Sequence, residues 1–174
     1  EDLEQGDSPR DHRMLRQIRT IQQQCKNLGS ILDEFLKFAR AGQLETEPSD
    51  LNREVREFCS FLEREAAGKS VEISPHLDST IPPVKLDRSL FRQVLVNLGL
   101  NAVQAMPQGG MLEILTSAQD DRVILEFIDS GKGMDAKTLD RIFEAFFSTR
   151  PGGSGLGLPT VRKIVEAHHG DIAV

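Results

Sequence analysis

Residues 111–129 read MLEILTSAQDDRVILEFID and predict two β-strands joined by a short polar turn. Polar and apolar residues alternate well enough over 111–117 and over 122–128 for two half-buried strands. The polar residues 119–121 separate the two runs. A connection this short joins antiparallel strands, so a sheet built only of parallel strands with crossover helices is not expected.

Helices are predicted on both sides of this hairpin. Ser49 or Asp50 can cap a helix that ends before Gly68, and Asp87 can cap a second helix that runs to Met106. Further helices are predicted near 137–143 and 156–168, and one more strand at 71–74. The order helix, strand, helix, hairpin, helix, helix predicts an α+β fold, a two-layer α/β sandwich with helices on one face of a mixed sheet.

The first forty residues follow a helical period instead. Apolar residues step by four and three alternately, at Met14, Ile18, Ile21, Cys25, Leu28, Leu32, Phe35 and Ala39. This seam predicts a helix that packs lengthwise in a dimeric bundle or a helical hairpin, with an amphipathic surface helix as the alternative. Residues 1–9 predict a loop or a frayed helix start, Ala41 and Gly42 the helix end, and residues 45–48 a linker.

The composition argues against several classes of protein. The 174 residues carry 21 Lys and Arg against 27 Asp and Glu, for a net charge of −6 with no basic run, so we expect no nucleic-acid partner. We expect no membrane segment, because polar residues interrupt every apolar stretch, and the first residues do not form a signal peptide. Cys25 and Cys59 lack metal-ligand spacing, and we expect two buried free thiols.

Two glycine clusters are candidate ligand loops. Asp129 ends a predicted strand and is followed by Gly131 and Gly133, which allow close approach of a ligand to the backbone. Residues 152–158, GGSGLGL, run directly into a helix, whose N-terminus favours an anion such as phosphate. Neither cluster matches a Rossmann or Walker A motif, and each could be an ordinary flexible loop.

Two asparagines add a polar face to an otherwise apolar helix. Asn97 and Asn101 are one helical turn apart and therefore share a face. Their carboxamide oxygens could ligate Mg²⁺ beside a phosphate, whereas the alternative is a pair of asparagines bonded to solvent or backbone. The run His168, His169 and Gly170 predicts a helix C-terminus, with imidazoles on the last carbonyls and Gly170 in the left-handed cap.

Together these segments resemble the sequence boxes of sensor histidine kinases, members of the GHKL superfamily. Residues 93–105 (QVLVNLGLNAVQA), 129–133 (DSGKG), 143–147 (FEAFF) and 153–158 (GSGLGL) are similar to the N, G1, F and G2 boxes, in that order. Four boxes at matching spacing are far more specific than one. The resemblance covers about residues 50–174 and implies a Bergerat-type ATP-binding fold. The preceding helix resembles the second helix of the family's dimerisation and phosphotransfer domain.

The resemblance implies a role for each matching residue. Asn101 would bind Mg²⁺, Asn97 would contribute on the phosphate side, and Asp129 would accept the adenine amine, with Gly131 and Gly133 beside the base. A nucleotide lid would span roughly 144–154, with Arg150 as a candidate phosphate contact or a solvated loop arginine. Asn97, Asn101 and Arg150 are thus the candidate catalytic residues. The other candidate ATP-binding residues are Lys132, Phe146, Ser148, Thr149, Gly153, Ser154, Gly155, Leu156, Gly157 and Leu158. Phe143, Phe146 and Phe147 would anchor the lid, and plain core aromatics are compatible with that hinge role.

The implied function is an ATP-dependent protein histidine kinase of a two-component system. The acceptor motif is missing, because His12 lies in a sequence that does not match it, so we expect the acceptor histidine outside this chain. Sheet-completing strands are expected after Val174. One alternative is an ATP-hydrolysing clamp like the gyrase or Hsp90 ATPase domains, which carry Glu where Asn97 stands; another is a degenerate nucleotide-binding scaffold. Asn97 favours transfer over hydrolysis.

The resemblance also implies the chain's organisation and partners. Residues 1–46 would be part of the dimerisation helix with its linker, and residues 47–174 the catalytic ATP-binding domain. We expect a homodimer formed through the N-terminal helix and a response regulator receiver domain as the phosphoryl acceptor of the whole protein. The expected location is cytoplasmic, with any membrane anchor outside this sequence.

Overall fold

The computed structural model describes residues 9–40, 44–150 and 152–174. The chain divides into two compact units, one up to Lys37 and the other from Phe38 onwards. The elements in chain order are α1 (Pro9–Arg40), β1 (Glu47–Ser49), α2 (Leu51–Glu65), β2 (Val71–Leu77), β3 (Val84–Leu86), α3 (Arg88–Ala105), β4 (Gly110–Gln119), β5 (Arg122–Asp129), α4 (Ala136–Leu139) and α5 (Gly157–Ala167).

The helix α1 confirms the predicted N-terminal helix. It spans Pro9–Arg40 in the part of the chain that the structure describes. Its seam residues Ile21, Leu28 and Leu32 are exposed. Cys25 is also exposed, so the expectation of two buried thiols is right for Cys59 and wrong for Cys25. The predictions for residues 1–8 and for Ala41 and Gly42 lie outside the described residues.

The main sheet has the mixed topology that the order of the elements predicts. Its order is β2-β4-β5, with β2 parallel to β4 and β4 antiparallel to β5. Asp120 adopts a positive φ of 53° in the turn between β4 and β5. Leu112, Ile114 and Thr116 of β4 are buried while the intervening residues are more accessible. The helices therefore cover one face of the sheet, as predicted.

The core lies between this sheet and the helices α2 and α3. Val55 and Leu62 of α2, Leu95 of α3, and Leu112 and Ile114 of β4 belong to one buried cluster. A Cβ on Gly99 of α3 would lie 2.4 Å from Phe58 Cζ, so α2 and α3 cross closely there. Helix α5 packs on α3 through a second cluster, formed by Val94, Val161 and Ile164.

The two aspartate caps hold the site-bearing helices. The Asp50 side chain accepts the N–H of Arg53 at 3.0 Å, which settles the choice between Ser49 and Asp50 for the cap of α2. Asp87 accepts the N–H of Leu90 at 3.0 Å and caps α3 as predicted. Each side chain satisfies an N–H that has no partner within its own helix.

Three local predictions need correction. Residues 45–48 are not only a linker, because Glu47–Ser49 forms β1 and pairs antiparallel with β3. The predicted helix at 137–143 shortens to Ala136–Leu139. Strand β2 runs to Leu77, beyond the predicted residue 74. Three-residue strands carry no measurable period, so pairing and not sequence pattern determines them.

The C-terminus of α5 forms a Schellman motif with an unexpected residue in its left-handed position. His169 and Gly170 donate their N–H groups to the carbonyls of Glu166 and Val165, each at 2.9 Å. The left-handed residue is His169, at φ 60°, and not Gly170 as predicted. The predicted contact of an imidazole with a terminal carbonyl is present, because His168 Nδ1 lies 2.8 Å from the Ile164 carbonyl oxygen.

Candidate functional site

One face of α3 forms the floor of the candidate site. Asn97, Asn101 and Ala105 follow one another at intervals of one helical turn, so all three lie on this face. The Asn97 side chain donates to the carbonyl of Gly157 at the start of α5, at 3.3 Å. The structure therefore joins the predicted asparagine face to the second glycine cluster, sixty positions further along the chain.

The first glycine cluster is joined to the C-terminal end of the same face. The N–H of Lys132 donates to the Ala105 carbonyl at 3.3 Å. A Cβ on Gly131 would lie 2.6 Å from Asp129 Oδ1 and 2.9 Å from the Ala105 oxygen, so only glycine fits between β5 and α3. The Gly131 N–H donates to Asp129 Oδ1 at 2.9 Å, which fixes the carboxylate at the strand end.

Ser130 is a positioning residue that sequence reasoning did not single out. Its Oγ accepts the N–H of Met111 at 2.9 Å, and its own N–H donates to the Met111 carbonyl at 3.0 Å. The same Oγ lies 3.6 Å from the sulfur of Met106, the C-cap of α3. A serine directly after a strand, opposite the start of the neighbouring strand, is the only signal that the sequence carries for this role.

A backbone hydrogen bond joins the two ends of the predicted lid. The N–H of Phe146 donates to the carbonyl of Gly155 at 3.0 Å. Gly155 has a φ of +68°, and a Cβ there would lie 2.4 Å from the Phe146 carbonyl carbon. Both the left-handed backbone and the close approach require glycine at this position.

The three phenylalanines of the lid region have different environments. Phe143 and Phe147 are half-buried, and guanidinium groups cover their rings, Arg162 at 4.0 Å and Arg141 at 4.2 Å from the ring centroids. Phe146 is 65% exposed with a φ of 67°. Phe146 is therefore not a core aromatic, and its backbone joins the two ends of the predicted lid while its ring faces solvent.

The tip of the lid carries Arg150 onto the asparagine face. Ser148 Oγ donates to the Arg150 carbonyl at 3.2 Å and accepts the Arg150 N–H at 3.1 Å. The N–H of Gly153 donates to the same carbonyl at 3.2 Å. In this turn Nη2 of Arg150 donates to Oδ1 of Asn101 at 2.5 Å, so Arg150 is not merely a solvated loop arginine.

The remaining predicted site residues fall into two groups. Leu156, at the start of α5, is 0% exposed, so its side chain is part of the core. Its N–H donates to Ser154 Oγ at 3.2 Å. Leu158 is half-buried. Lys132, Gly133 and Thr149 are exposed and stand beside residues of the site in sequence.

The arrangement combines complementary chemical groups around one helix face. At one end, a fixed carboxylate next to closely packed backbone can accept hydrogen bonds from a planar polar ligand. At the other end, two carboxamides, a guanidinium and the start of α5 meet, which suits an anion with an associated cation. Among the residues that the structure describes, no group of three or more His, Cys, Asp or Glu side chains could hold a metal ion.

Comparison with known proteins identifies this architecture. Residues 86–174 match the family model described as histidine kinase-, DNA gyrase B- and HSP90-like ATPase. The sensor histidine kinase ZraS of Escherichia coli (strain K12) is 32% identical over 156 residues, which cover 90% of this chain and 34% of ZraS. The chain belongs to this ATPase family, and its sequence and fold are those of the ATP-binding catalytic part of sensor histidine kinases.

Solved structures support the same class. Full-length ShkA in complex with AMPPNP superimposes with a TM-score of 0.75 at 32% identity, covering 87% of this chain and 34% of that chain. The histidine kinase ThkA in complex with the response regulator protein TrrA superimposes with a TM-score of 0.73 at 28% identity, covering 95% of this chain and 47% of that chain. The chain thus spans about a third of the length of ZraS and ShkA. None of the helices in the described ranges is long and apolar enough to cross a membrane.

Proposed function

We propose that this chain binds Mg·ATP and transfers the γ-phosphoryl group to a histidine on a helix of the adjoining bundle. The observation that carries the proposal is the contact of Arg150 with Asn101, which brings the lid and the polar face of α3 together. A triphosphate between them would meet a guanidinium, two carboxamides and the start of α5. Catalysis would then consist mainly of positioning and charge neutralisation.

The adenine base would bind at the Asp129 end of the site. One carboxylate oxygen accepts the Gly131 N–H, and the other can accept the exocyclic amine of adenine. Gly131 and Gly133 would let the base approach the backbone. Guanine presents a carbonyl oxygen where adenine presents the amine, so the carboxylate should select ATP over GTP.

A magnesium ion would bind at the Asn101 end. The Asn101 oxygen already accepts a cationic partner, the Arg150 guanidinium, which supports its suitability for a metal cation. Mg²⁺ prefers oxygen ligands and retains several waters, so Asn101 would share it with phosphate oxygens and water. When bound, the metal would neutralise part of the negative charge of the phosphates. Asn97 would contribute on the phosphate side of the same site.

The lid would cover the phosphates. Gly153, Ser154, Gly155 and Gly157 would supply the flexible backbone and the N–H groups at the start of α5, while Arg150 would pair with the phosphates. Ser148, Thr149 and Lys132 would stand at the edge of the same anion site. Phe146 would serve as the hinge, because its N–H holds the lid base to Gly155.

Phosphoryl transfer is preferred to hydrolysis because of residue 97. A hydrolysing member of the family needs a general base to activate water, and a carboxylate does this whereas the carboxamide of Asn97 has no basic oxygen. Asn97 instead donates to the Gly157 carbonyl and ties α3 to α5. The histidine of a second protein segment would therefore be the acceptor.

The organisation of the whole protein belongs to the same proposal. Residues 1–46 would form part of a dimerisation helix with its linker, and residues 47–174 the catalytic domain. The exposed seam residues of α1, such as Ile21, Leu28 and Leu32, support a homodimer formed through this helix. A response regulator receiver domain would accept the phosphoryl group from the histidine, and the use of ATP would place this part of the protein in the cytoplasm.

Nucleotide binding is tested by calorimetric titration with Mg·ATP and Mg·GTP, because the chain lacks Trp and Tyr. Wild type and Asp129→Asn are compared. Saturable binding that prefers ATP and is lost or loses its selectivity in the variant supports the site. Absence of ATP binding by a chain that circular dichroism shows to be folded would contradict it.

Transfer is tested with a separate protein that carries an acceptor helix of the family. We expect acid-labile phosphate on its histidine after incubation with this chain and Mg·ATP. Asn97→Asp serves as a second variant, since a carboxylate at this position should raise the release of free phosphate relative to transfer. Free phosphate without any phosphohistidine in the wild type would instead favour a hydrolysing clamp.

A further inference from the structure

One oxygen atom in the site has two prospective cationic partners. Oδ1 of Asn101 accepts a hydrogen bond from Nη2 of Arg150 at 2.5 Å. The proposed function assigns the same oxygen to Mg²⁺. The two residues lie 49 positions apart, one on the half-buried face of α3 and the other at the tip of the lid. Because of this contact, the position of the lid determines whether the Asn101 oxygen is free to bind a metal ion.

The two cations exclude each other at this oxygen. Mg²⁺ binds oxygen at about 2.0–2.1 Å and requires nearly octahedral geometry with its own water ligands. A guanidinium at hydrogen-bond distance would intrude on that shell and repel the ion at short range. Because a metal ion needs the Asn101 oxygen free, the arginine must leave before the metal ligand can be used.

The arginine is placed on Asn101 by a built loop. Its carbonyl accepts hydrogen bonds from Ser148 Oγ and the Gly153 N–H, and its N–H donates to Ser148 Oγ. The base of the loop is held by the Phe146 N–H on the Gly155 carbonyl. These contacts fix the backbone of Arg150 so that its guanidinium points toward α3. They thereby limit the other positions that the guanidinium can take.

We propose that Arg150 and Asn101 form a selectivity gate that couples metal binding to polyphosphate binding. A metal-bound polyphosphate satisfies both residues at once, since its phosphates accept the arginine and its metal takes the carboxamide oxygen. A metal ion alone must displace the arginine without offering it an anion. Adenosine engages neither residue. This inference rests on the proposed nucleotide site and adds to it a determinant of ligand choice.

The gate is tested by measuring metal binding in the absence of nucleotide. Mn²⁺ is titrated into the full chain as a probe for Mg²⁺, and its dissociation constant is obtained from the enhanced relaxation of water protons. Arg150→Ala removes the competitor for the Asn101 oxygen, so it should bind Mn²⁺ about three- to tenfold more tightly than wild type. Lys137→Ala removes one positive charge from α4 and should bind Mn²⁺ with the wild-type dissociation constant.

A double-variant cycle separates the gate from simple charge removal. If Arg150 acts through the Asn101 oxygen, Arg150→Ala should not change Mn²⁺ binding in an Asn101→Ala background. An increase that persists in that background, or unchanged Mn²⁺ binding in Arg150→Ala alone, overturns the gate. Calorimetric titration of ADP with excess EDTA and with excess Mg²⁺ tests the nucleotide site itself. If the folded wild type binds no ADP under either condition, that site is wrong, which distinguishes the two failures.

A spectroscopic measurement tests the contact without any nucleotide. The side-chain carboxamide signals of Asn101 are assigned by their loss in Asn101→Ala and followed in ¹⁵N correlation spectra. We expect them to shift in Arg150→Ala and to keep their positions in Lys137→Ala. Identical Asn101 signals in wild type and Arg150→Ala would show that the contact does not form in solution and would overturn the proposal.

Discussion

The backbone N–H of Asp87 donates a hydrogen bond to Nε2 of His168 at 3.0 Å and so joins the start of α3 to the end of α5. Since Nε2 accepts this bond, the proton of the neutral ring is assigned to Nδ1, which donates to the Ile164 carbonyl at 2.8 Å. The Asp87 carboxylate in turn accepts the N–H of Glu45 at 3.0 Å. One residue thus connects both helices of the site to the segment before β1.

Removal of the His168 ring should destabilise the catalytic unit. His168→Ala leaves the Asp87 N–H and the Ile164 carbonyl without their imidazole partner, which should cost about 1–3 kcal/mol of unfolding free energy. Urea unfolding followed by circular dichroism measures the change. His169→Asn is the matched control, because asparagine tolerates the left-handed backbone at 169 and the neighbouring imidazole is retained. Equal losses in the two variants would contradict a specific role for His168.

The Asp87 carboxylate should make stability depend on acid pH. Burial acts to raise its pKa, but hydrogen bonds from the N–H groups of Glu45, Leu90 and Ser89, together with His168, hold the pKa below its ordinary value. A lowered folded-state pKa stabilises the protein above the unfolded-state value, about 3.9, and this contribution disappears as the pH falls through the folded-state pKa. The unfolding free energies of wild type and Asp87→Asn should therefore differ most near neutral pH and converge below about pH 4. A difference that stays constant from pH 7 to pH 3 would disprove this.

Two glutamates on α2 should differ sharply in their contribution to stability. The Glu54 side chain is 2% exposed and accepts Arg88 Nε at 2.7 Å, whereas the Glu57 side chain is 49% exposed and lies 3.1 Å from Arg92. Glu54→Ala leaves guanidiniums without a buried partner and should cost about 2–4 kcal/mol, reduced from the fully buried case because Arg88 is partly exposed. Glu57→Ala should cost about 0.5 kcal/mol or less. Chemical denaturation compares them, and similar losses would refute the distinction.

Glycine at 155 should be required for lid closure and much less for folding. Gly155→Ala places a Cβ against the Phe146 backbone at a positive φ and should weaken Mg·ATP binding by about tenfold or more. Gly152→Ala is the matched control, because Gly152 has a similar positive φ of 75° but its Cβ would meet no atom within 4 Å. Calorimetry of both variants gives the comparison. If Gly152→Ala loses as much affinity, backbone strain and not the clash at the lid base is responsible.

Glycine in place of His169, at the left-handed position after α5, should increase the stability of the protein. His169 occupies the C′ position of a Schellman motif at φ 60°, a conformation that favours glycine. His169→Gly should stabilise the protein by about 0.5–1 kcal/mol after the greater flexibility of the unfolded chain is included. Differential scanning calorimetry should show a higher Tm. His168→Gly, at the preceding residue, should lower it, and a lower Tm in His169→Gly would contradict the motif.

Much of the fold follows from local chemistry that a sequence displays. Asp50 and Asp87 each stand before an apolar helical stretch and cap it, and the alternation around residues 119–121 predicts the hairpin. Gly131 is recognisable in the sequence because it follows a predicted strand in a glycine-rich run. Asn97 and Asn101 are recognisable because they are polar residues on an otherwise apolar helix. These features depend on neighbours within about one turn or one strand pair, so pattern is enough to find them.

The tertiary structure decided those features that depend on contacts between residues far apart in the sequence. The strands β1 and β3 have three residues each and exist through their pairing. Packing also decides which side chains are exposed and which meet. It determines the ion-pair partners of Glu54 and the exposure of Phe146. It also determines the contacts of His168 with Asp87 and of Arg150 with Asn101. The sequence by itself determined the long helices, the β4–β5 hairpin and the chemical groups of the site. Only folding determined which groups meet, because a contact across 49 or 81 positions depends on the geometry of every element between them.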